Sequence, residues 1–478
     1  MKWRPDRKSK KPIYKQIADY IENGIDDGTF PSDKVLPSER VLASELQVNR
    51  STVVAAYDEL QANGLIERRK GSGTTISKDI WGMAKKRIPN WNRYIEAGSF
   101  LPNLPITRRI RKEMAEADFI NLASGELSED LFPITALRKI ASTGDFSGTL
   151  GYDHPQGNEQ LRETIATHVK EYKGIDTDAS SSLITSGAQQ ALHLVVQCLL
   201  KPGDTVAIED PSYSYSLPIF QTAGIRTLPL PIGKDGVNPN DLLTLQKVHN
   251  IKMVFLNPIY QNPTGTLMHI NRRRKILEIS SDFGIPVIED DPYSLTSFND
   301  ETISTLKSMD LNGNVLYISS LSKIVASGLR IGWIIGPKSV IERLSDAKQQ
   351  IDFGHSTFTQ WIANDFLQPA YFPSHIAFLR KELAERRDQI ILSLRTYLGH
   401  RANFHVPNGG IHLWCKLNEA VDEIRLLEES IKRGVIYLPG STMGSKDGYI
   451  RFTFAKERTE RIDEGIRRFS EAFHKLLS

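Results

Sequence analysis

The sequence predicts an α/β protein in two parts: a small helical module closed by a hairpin and a large domain with a mostly parallel sheet and a smaller α+β lobe. Three observations predict it. Residues 1–78 hold three stretches with apolar side chains at helical spacing, followed by a basic, alternating hairpin pattern. Residues 79–118 lose any sustained period. From 119 to the end, short apolar runs alternate with helical stretches, the pattern of a sheet covered on both faces.

The first helix starts near Pro12, a good first-turn residue, and carries Ile13, Ile17, Tyr20, Ile21 and Ile25 until Gly28 stops it. A second follows Leu36-Pro37, with Ser38 as N-cap and Val41, Leu42 and Leu46 expected on its inner face. After the tight Gln47-Val48-Asn49 connection, a third helix turns Val53, Tyr57 and Leu60 inward and ends at Asn63-Gly64. The run LIERRKGSGTTI then alternates and turns around Gly71-Ser72-Gly73, as a two-stranded wing does. Residues 79–118 are rich in Arg and Lys, with scattered aromatics and prolines; they read as a linker with one short helix near Ile106–Ala117. A flexible chain of that length spans roughly 35 Å. Within 119–478, strands are expected at Leu183–Thr185, Thr205–Ile208, Met253–Leu256, Val287–Ile288, Val315–Ile318 and Ile331–Ile335. A long charged helix around His375–Leu398 and the short strands FHVP, IHLWCKL and YIRFTFA form the smaller lobe.

Composition narrows the class. With 24% charged and 40% hydrophobic residues in 478, the chain has the ordinary composition of a soluble globular protein, which excludes wholesale disorder. No stretch approaches the roughly 18 apolar residues of a membrane span. The basic N-terminus has no apolar core of a secretory signal. Two cysteines, Cys198 and Cys415, build neither a disulfide framework nor a Cys-rich metal site, and they fit a reducing cytoplasm. The net charge of +3 is too small to identify a partner by itself.

Three short helices and a basic hairpin make a winged helix-turn-helix, whose third helix enters the major groove of double-stranded DNA. Asn49, Arg50, Ser51 and Thr52 at its start would face the operator, Arg50 offering a fork of donors to guanine or phosphate. Arg40 is placed for a backbone contact, and the Gly71 and Gly73 amides of the wing for a close phosphate approach. The alternative is a protein-binding winged helix with solvated arginines. The pattern LPSERVLASELQVNRSTVVAAYDEL, with Pro12-Ile13-Tyr14, Gly64-Leu65-Ile66 and the wing GSGTTI, resembles the GntR family of bacterial transcription regulators.

In the large domain, Lys323 follows the strand VLYIS, where a lysine can form a Schiff base with an aldehyde cofactor. Asp290 ends another strand and can keep a pyridine nitrogen protonated. Tyr293 and Asn262 can bond a phenolic oxygen, and Tyr213 can stack on a ring. Gly187, Ala188 and Gln189 open a helix whose free N–H groups suit a phosphate, with Ser320, Ser322 and Arg330 as further ligands. Arg451, on a strand with apolar neighbours, suits a carboxylate. Each residue alone has an ordinary explanation: a solvated lysine, a turn cap, a half-buried tyrosine, a structural salt bridge.

The ordered set GAQQAL, DPSY, NPTG, DDPY, SLSK, RIGW, RFTF resembles the fold-type I aminotransferases. That resemblance implies that Lys323 carries pyridoxal 5'-phosphate (PLP) as an internal aldimine and that Asp290 pairs with its ring nitrogen. It further implies that Arg451 takes the carboxylate of an amino acid, and that Tyr152 reaches the phosphate of the neighbouring subunit in a homodimer. A GntR module joined to such a domain resembles the MocR-type regulators, the subfamily with PdxR- and GabR-like proteins. The resemblance implies a DNA-binding regulator that senses PLP, an amino-acid-like effector, or both; a working aminotransferase with an accessory DNA module is the alternative.

Overall fold

The computed structural model describes residues 3–26, 28–31, 34–69, 73–77, 98, 100, 103–114, 119–143, 151–299, 302–445 and 448–477. Two compact units divide the chain, Met1–Gly98 and Ser99–Ser478. The first packs helices α1 (Ile13–Asp26), α2 (Glu39–Leu46) and α3 (Arg50–Ala62) against strands β2 (Ile66–Arg69) and β3 (Gly73–Ile76). Ile17, Ile21, Leu42, Leu46, Val53, Tyr57 and Leu60 form its core. The Ser38 hydroxyl accepts from Val41 N at the start of α2, and Tyr57 donates to Pro37 O at 2.8 Å, tying α3 to the entry of α2.

Two details differ from the sequence reading. Val41 is exposed, and Ala43 takes its place inside with Leu42 and Leu46; position 41 lies about 100° away from the stripe set by 42 and 46. A two-residue strand, β1 (Val35–Leu36), adds a third strand to the hairpin by pairing with Thr74 and Thr75 of β3.

In the second unit, α4 (Pro105–Met114) sends Ile110 into the core, and β4 (Ile120–Asn121) pairs with β15 (Val435–Ile436). The main sheet contains β5 (Ser182–Thr185), β6 (Thr205–Asp210), β7 (Arg226–Gly233), β8 (Gly236–Val237), β9 (Met253–Leu256), β10 (Val287–Asp290), β11 (Val315–Ser320) and β12 (Gly332–Ile335). Their order is β5-β12-β11-β10-β9-β6-β7-β8, and all six expected strands are among them. Side chains alternate between two cores: Ile208, Phe255, Ile288 and Ile318 on one face, Ala207, Val254, Val287 and Val315 on the other. The sheet is mixed, because β12 runs antiparallel to both its neighbours. Residues 321–331, which join β11 to β12, are two 3₁₀ turns with no crossover helix, too little chain to return parallel.

The smaller lobe is an antiparallel sheet, β13 (Ala402–Phe404), β14 (His412–Leu417), β17 (Tyr449–Thr453) and β16 (Leu438–Pro439), in that order. The long helices Phe372–Tyr397 and Thr459–Leu477 pack into the same core. Among the described residues no helix is long and apolar enough to cross a membrane.

Candidate functional site

In the N-terminal unit, Arg40, Asn49, Arg50 and Ser51 are exposed, and Thr52 is half-buried. Asn49 caps α3 through its backbone without a side-chain capping bond, so its amide is available to another partner. Arg50 Nη2 lies 3.2 Å from Glu39 Oε2, with the Arg50 side chain 68% exposed. An ion pair so open to water is worth at most about 1 kcal/mol, so the guanidinium exchanges it readily for another anion. Gly73 adopts φ +86°, which favours glycine at the wing turn. Gly71 lies outside the described residues.

In the second unit, the parallel strands bring their carboxyl ends to one edge, where ligands of open α/β sheets bind. Asp290 ends β10, Ser320 ends β11, Tyr213 follows β6, and Gly187 follows β5. The 321–331 return adds Lys323 and Arg330 to the same edge. Together Ala188, Gln189, Tyr213, Asn262, Asp290, Tyr293, Ser320, Ser322, Lys323 and Arg330 line one cavity of about 270 Å³.

At one end is an anion cradle. The helix Gly187–Leu199 opens without a side-chain cap or an acidic residue in its first turn, so its N–H groups and positive dipole end face the cavity. Arg330, itself at φ +56°, lies across this turn and donates from Nη2 to Ser186 O at 2.8 Å. Gly187 has φ +71°, and a Cβ there would come within 2.7 Å of Arg330 Nη2. A Cβ on Gly332 would lie 2.7 Å from the Gly187 carbonyl carbon. The two glycines thus let β12 and the arginine approach the helix start closely.

At the centre, Lys323 donates to Gly125 O. Burial, and then the Arg451 charge, lower its pKa to about 8, against the pull of Glu126 and Asp290. The two adjacent carboxylates are sharply different. Asp291 is consumed by structure: Lys173 Nζ and Tyr317 OH each reach Oδ2 at 2.7 Å, and against the burial penalty Lys173 holds its pKa below the ordinary value. Asp290 accepts from the Tyr213 hydroxyl at Oδ2, while its buried Oδ1 has no partner among the described residues. Burial raises the Asp290 carboxyl to about 7, with Asp291 adding and Tyr213 opposing.

Arg451 is 5% exposed. Its Nη1 donates to Asn262 Oδ1 at 3.1 Å, its Nη2 to Ala123 O, and no carboxylate pairs with it among the described residues. The bond orients the Asn262 side chain with its oxygen to Arg451, leaving the amide N–H₂ as donor. The Tyr293 hydroxyl shares a 3.1 Å hydrogen bond with His412 Nε2.

Tyr152 is 88% exposed and is not among the lining residues; its ring lies 5.7 Å from that of Phe353.

Four residues escape the sequence reading. His412 is buried, and burial with the Arg451 and Lys323 charges drives its pKa well below the ordinary imidazole value, so it is neutral. Asn257 donates from Nδ2 to Asp290 O at 2.8 Å, and Glu209 accepts from Asn257 N at 2.9 Å. Glu126 lines the cavity mouth, bonded to Ser327 Oγ at 3.0 Å.

The donor set fits an anionic, aldehyde-bearing pyridine: an anion cradle, a cavity-lining carboxylate with one oxygen unpartnered among the described residues, and an amine at the sheet edge. Residues 117–469 match the family model of aminotransferase class I and II, and residues 13–76 that of bacterial regulatory proteins of the gntR family. The HTH-type transcriptional regulator YisV of Bacillus subtilis (strain 168) is 38% identical over 99% of both chains. NorG of Staphylococcus aureus, an HTH-type transcriptional regulator, is 30% identical over 90% of this chain and 97% of its own. Among solved structures, a kynurenine aminotransferase of Pyrococcus horikoshii superposes with a TM-score of 0.76 at 29% identity, covering 82% of this chain and 99% of that one. With a gntR-type reader in front of an aminotransferase fold along its whole length, the chain belongs to the MocR-type branch of the GntR family of DNA-binding transcription regulators.

Proposed function

We propose that the large domain binds PLP through Lys323 and that an amino-acid-like effector, held by Arg451, adjusts how a cytoplasmic homodimer engages operator DNA. The observation that carries this reading is a pair of buried groups beside Lys323 that lack full partners among the described residues: Asp290 Oδ1, with no hydrogen-bond partner, and the Arg451 guanidinium, with no carboxylate to balance its charge. Such groups cost several kcal/mol in a core and persist where a ligand completes them. PLP supplies an aldehyde open to reversible attack by amines and a ring that withdraws electrons. Asp290 holds the proton on the ring nitrogen, and Tyr293 with the Asn262 amide bonds the phenolic oxygen. Gly187, Ala188, Gln189, Ser320, Ser322 and Arg330 hold the phosphate, and Tyr213 closes over the ring. Arg451 receives a carboxylate as a two-pronged donor. Tyr152, being exposed, is free to reach the phosphate in the partner subunit. Occupancy then favours one arrangement of the DNA-binding modules.

Footprinting the protein's own upstream region with and without PLP and a panel of amino acids tests the reading. A ligand-dependent change in protection supports it; protection identical under every condition overturns it. Steady-state transamination at about 1 per second or faster would instead favour an enzyme carrying a DNA module.

Arg451→Ala should shift the effector midpoint upward by about 10- to 100-fold, the worth of a charged hydrogen-bonding partner, while visible cofactor absorbance persists. An unmoved midpoint would take Arg451 out of the effector site. Arg50→Ala should weaken operator binding by about 10- to 100-fold in a gel-shift titration and leave cofactor absorbance unchanged. Loss of both together would indicate unfolding rather than a lost contact.

A further inference from the structure

We propose that the segment before α1 is a second DNA contact, a folded basic arm that sets Lys8 and Lys10 on the phosphate backbone beside the strand read by α3. The proposal rests on the DNA-binding character of the family alone and is independent of the cofactor.

The arm has a defined shape. Trp3 stacks on Tyr20 of α1 with ring centroids 4.6 Å apart and planes inclined by 12°. The Gln16 amide clamps the turn from within the helix: Oε1 accepts from Asp6 N at 2.9 Å, while Nε2 donates to Asp6 O at 3.0 Å and to Lys11 O at 2.7 Å. Lys8 N donates to Asp6 Oδ1 at 2.9 Å, completing an Asx-type turn.

Its position is equally fixed. The Arg4 guanidinium bonds Glu45 O, and Arg7 Nη2 donates to Gln47 O at 2.7 Å. These carbonyls belong to the last turn of α2 and its C-cap, where a cation also complements the helix dipole. Gln47 stands two residues before Asn49, within about 7 Å of chain. The arm is therefore fastened to the turn that delivers Arg50.

Its charge is unbalanced. Residues 1–12 carry six cations, Lys2, Arg4, Arg7, Lys8, Lys10 and Lys11, and one carboxylate, Asp6. Arg4 and Arg7 are spent on backbone carbonyls, and Lys11 pairs with Asp19. Lys8 and Lys10 are exposed and make no ion pair among the described residues. Cations that serve only solubility do not require a pinned backbone. A fixed cluster of one sign repels itself, and a polyanion with a charge every ~1.7 Å of axis relieves that repulsion.

The test is a salt titration of full-length protein, followed by fluorescence anisotropy, on two duplexes: the upstream region and a random sequence of equal length. Lys8→Ala/Lys10→Ala should flatten the slope of log affinity against log salt by about two, about one per lost phosphate contact, equally on both duplexes. Lys8→Arg/Lys10→Arg should restore the slope. Both side chains are exposed, so the melting temperature should not move. A slope unchanged in the alanine variant, or a loss confined to the upstream region, overturns the proposal. Arg50→Ala, run in parallel, should reduce the preference for the upstream region, so failure of the α3 contact is read separately.

Discussion

Lys323→Ala protein should purify without visible absorbance, and borohydride should fix no cofactor on its chain, as read by mass spectrometry. Lys323 is the lysine that lines the cavity. Only the neutral amine adds to an aldehyde, and an ordinary lysine near pH 7.5 is less than about 1% neutral. Burial and the Arg451 charge bring Lys323 to about 8, which raises the reactive share to about a quarter at that pH. Lys323→Arg keeps a cation in the cavity but removes the nucleophile, and it should lose the band as completely. In both variants the protein should still bind operator DNA and should no longer respond to effector. A visible, borohydride-fixable band surviving in Lys323→Ala would sink the assignment, because it would place the bond elsewhere.

The second large effect is a trade between stability and cofactor retention at Asp290. Its folded pKa of about 7 lies above the ordinary 3.8, so the folded chain keeps a proton that the unfolded chain releases. The stability linked to this group is present below about pH 4 and is lost as pH rises through 7. Three pKa units correspond to about 4 kcal/mol. Asp290→Asn removes that penalty with almost no change of shape. Cofactor-free variant should therefore melt several degrees above the parent at pH 8 and close to it at pH 4.5, as measured by calorimetry. The same change should weaken PLP binding by about 100-fold, since the ring nitrogen loses its counter-charge. Equal melting temperatures at pH 8 would mean that the buried carboxylate is compensated in solution.

How much was legible in the sequence differs by region. The N-terminal helices were readable because a small core leaves a clean 3.6-residue stripe, broken only at Val41, where one apolar residue sits beside the face rather than on it. The central strands were readable as apolar runs buried on both sides. β7 was not: it contains Pro229 and Pro231, lies near the sheet edge and alternates poorly. The antiparallel course of β12 was hidden too, because periodicity carries no direction. Within the cavity, Lys323, Asp290 and Arg330 stand in ordered local motifs, whereas His412 does not. It reaches the site only because β14 pairs with β17, which sets His412 opposite Thr453, two positions along from Arg451 on the same face. Long-range register of that kind leaves no trace in a single chain.

The short return from β11 to β12 has a consequence for signalling. Residues 321–331 carry both Lys323, the proposed covalent anchor, and Arg330, the proposed grip on the anion end, so the two proposed attachments share one short segment with little slack. Movement at the amine end must drag the anion end with it. Half-released states are then strained, and the ligand switch should behave as a latch with two settings instead of a graded dial.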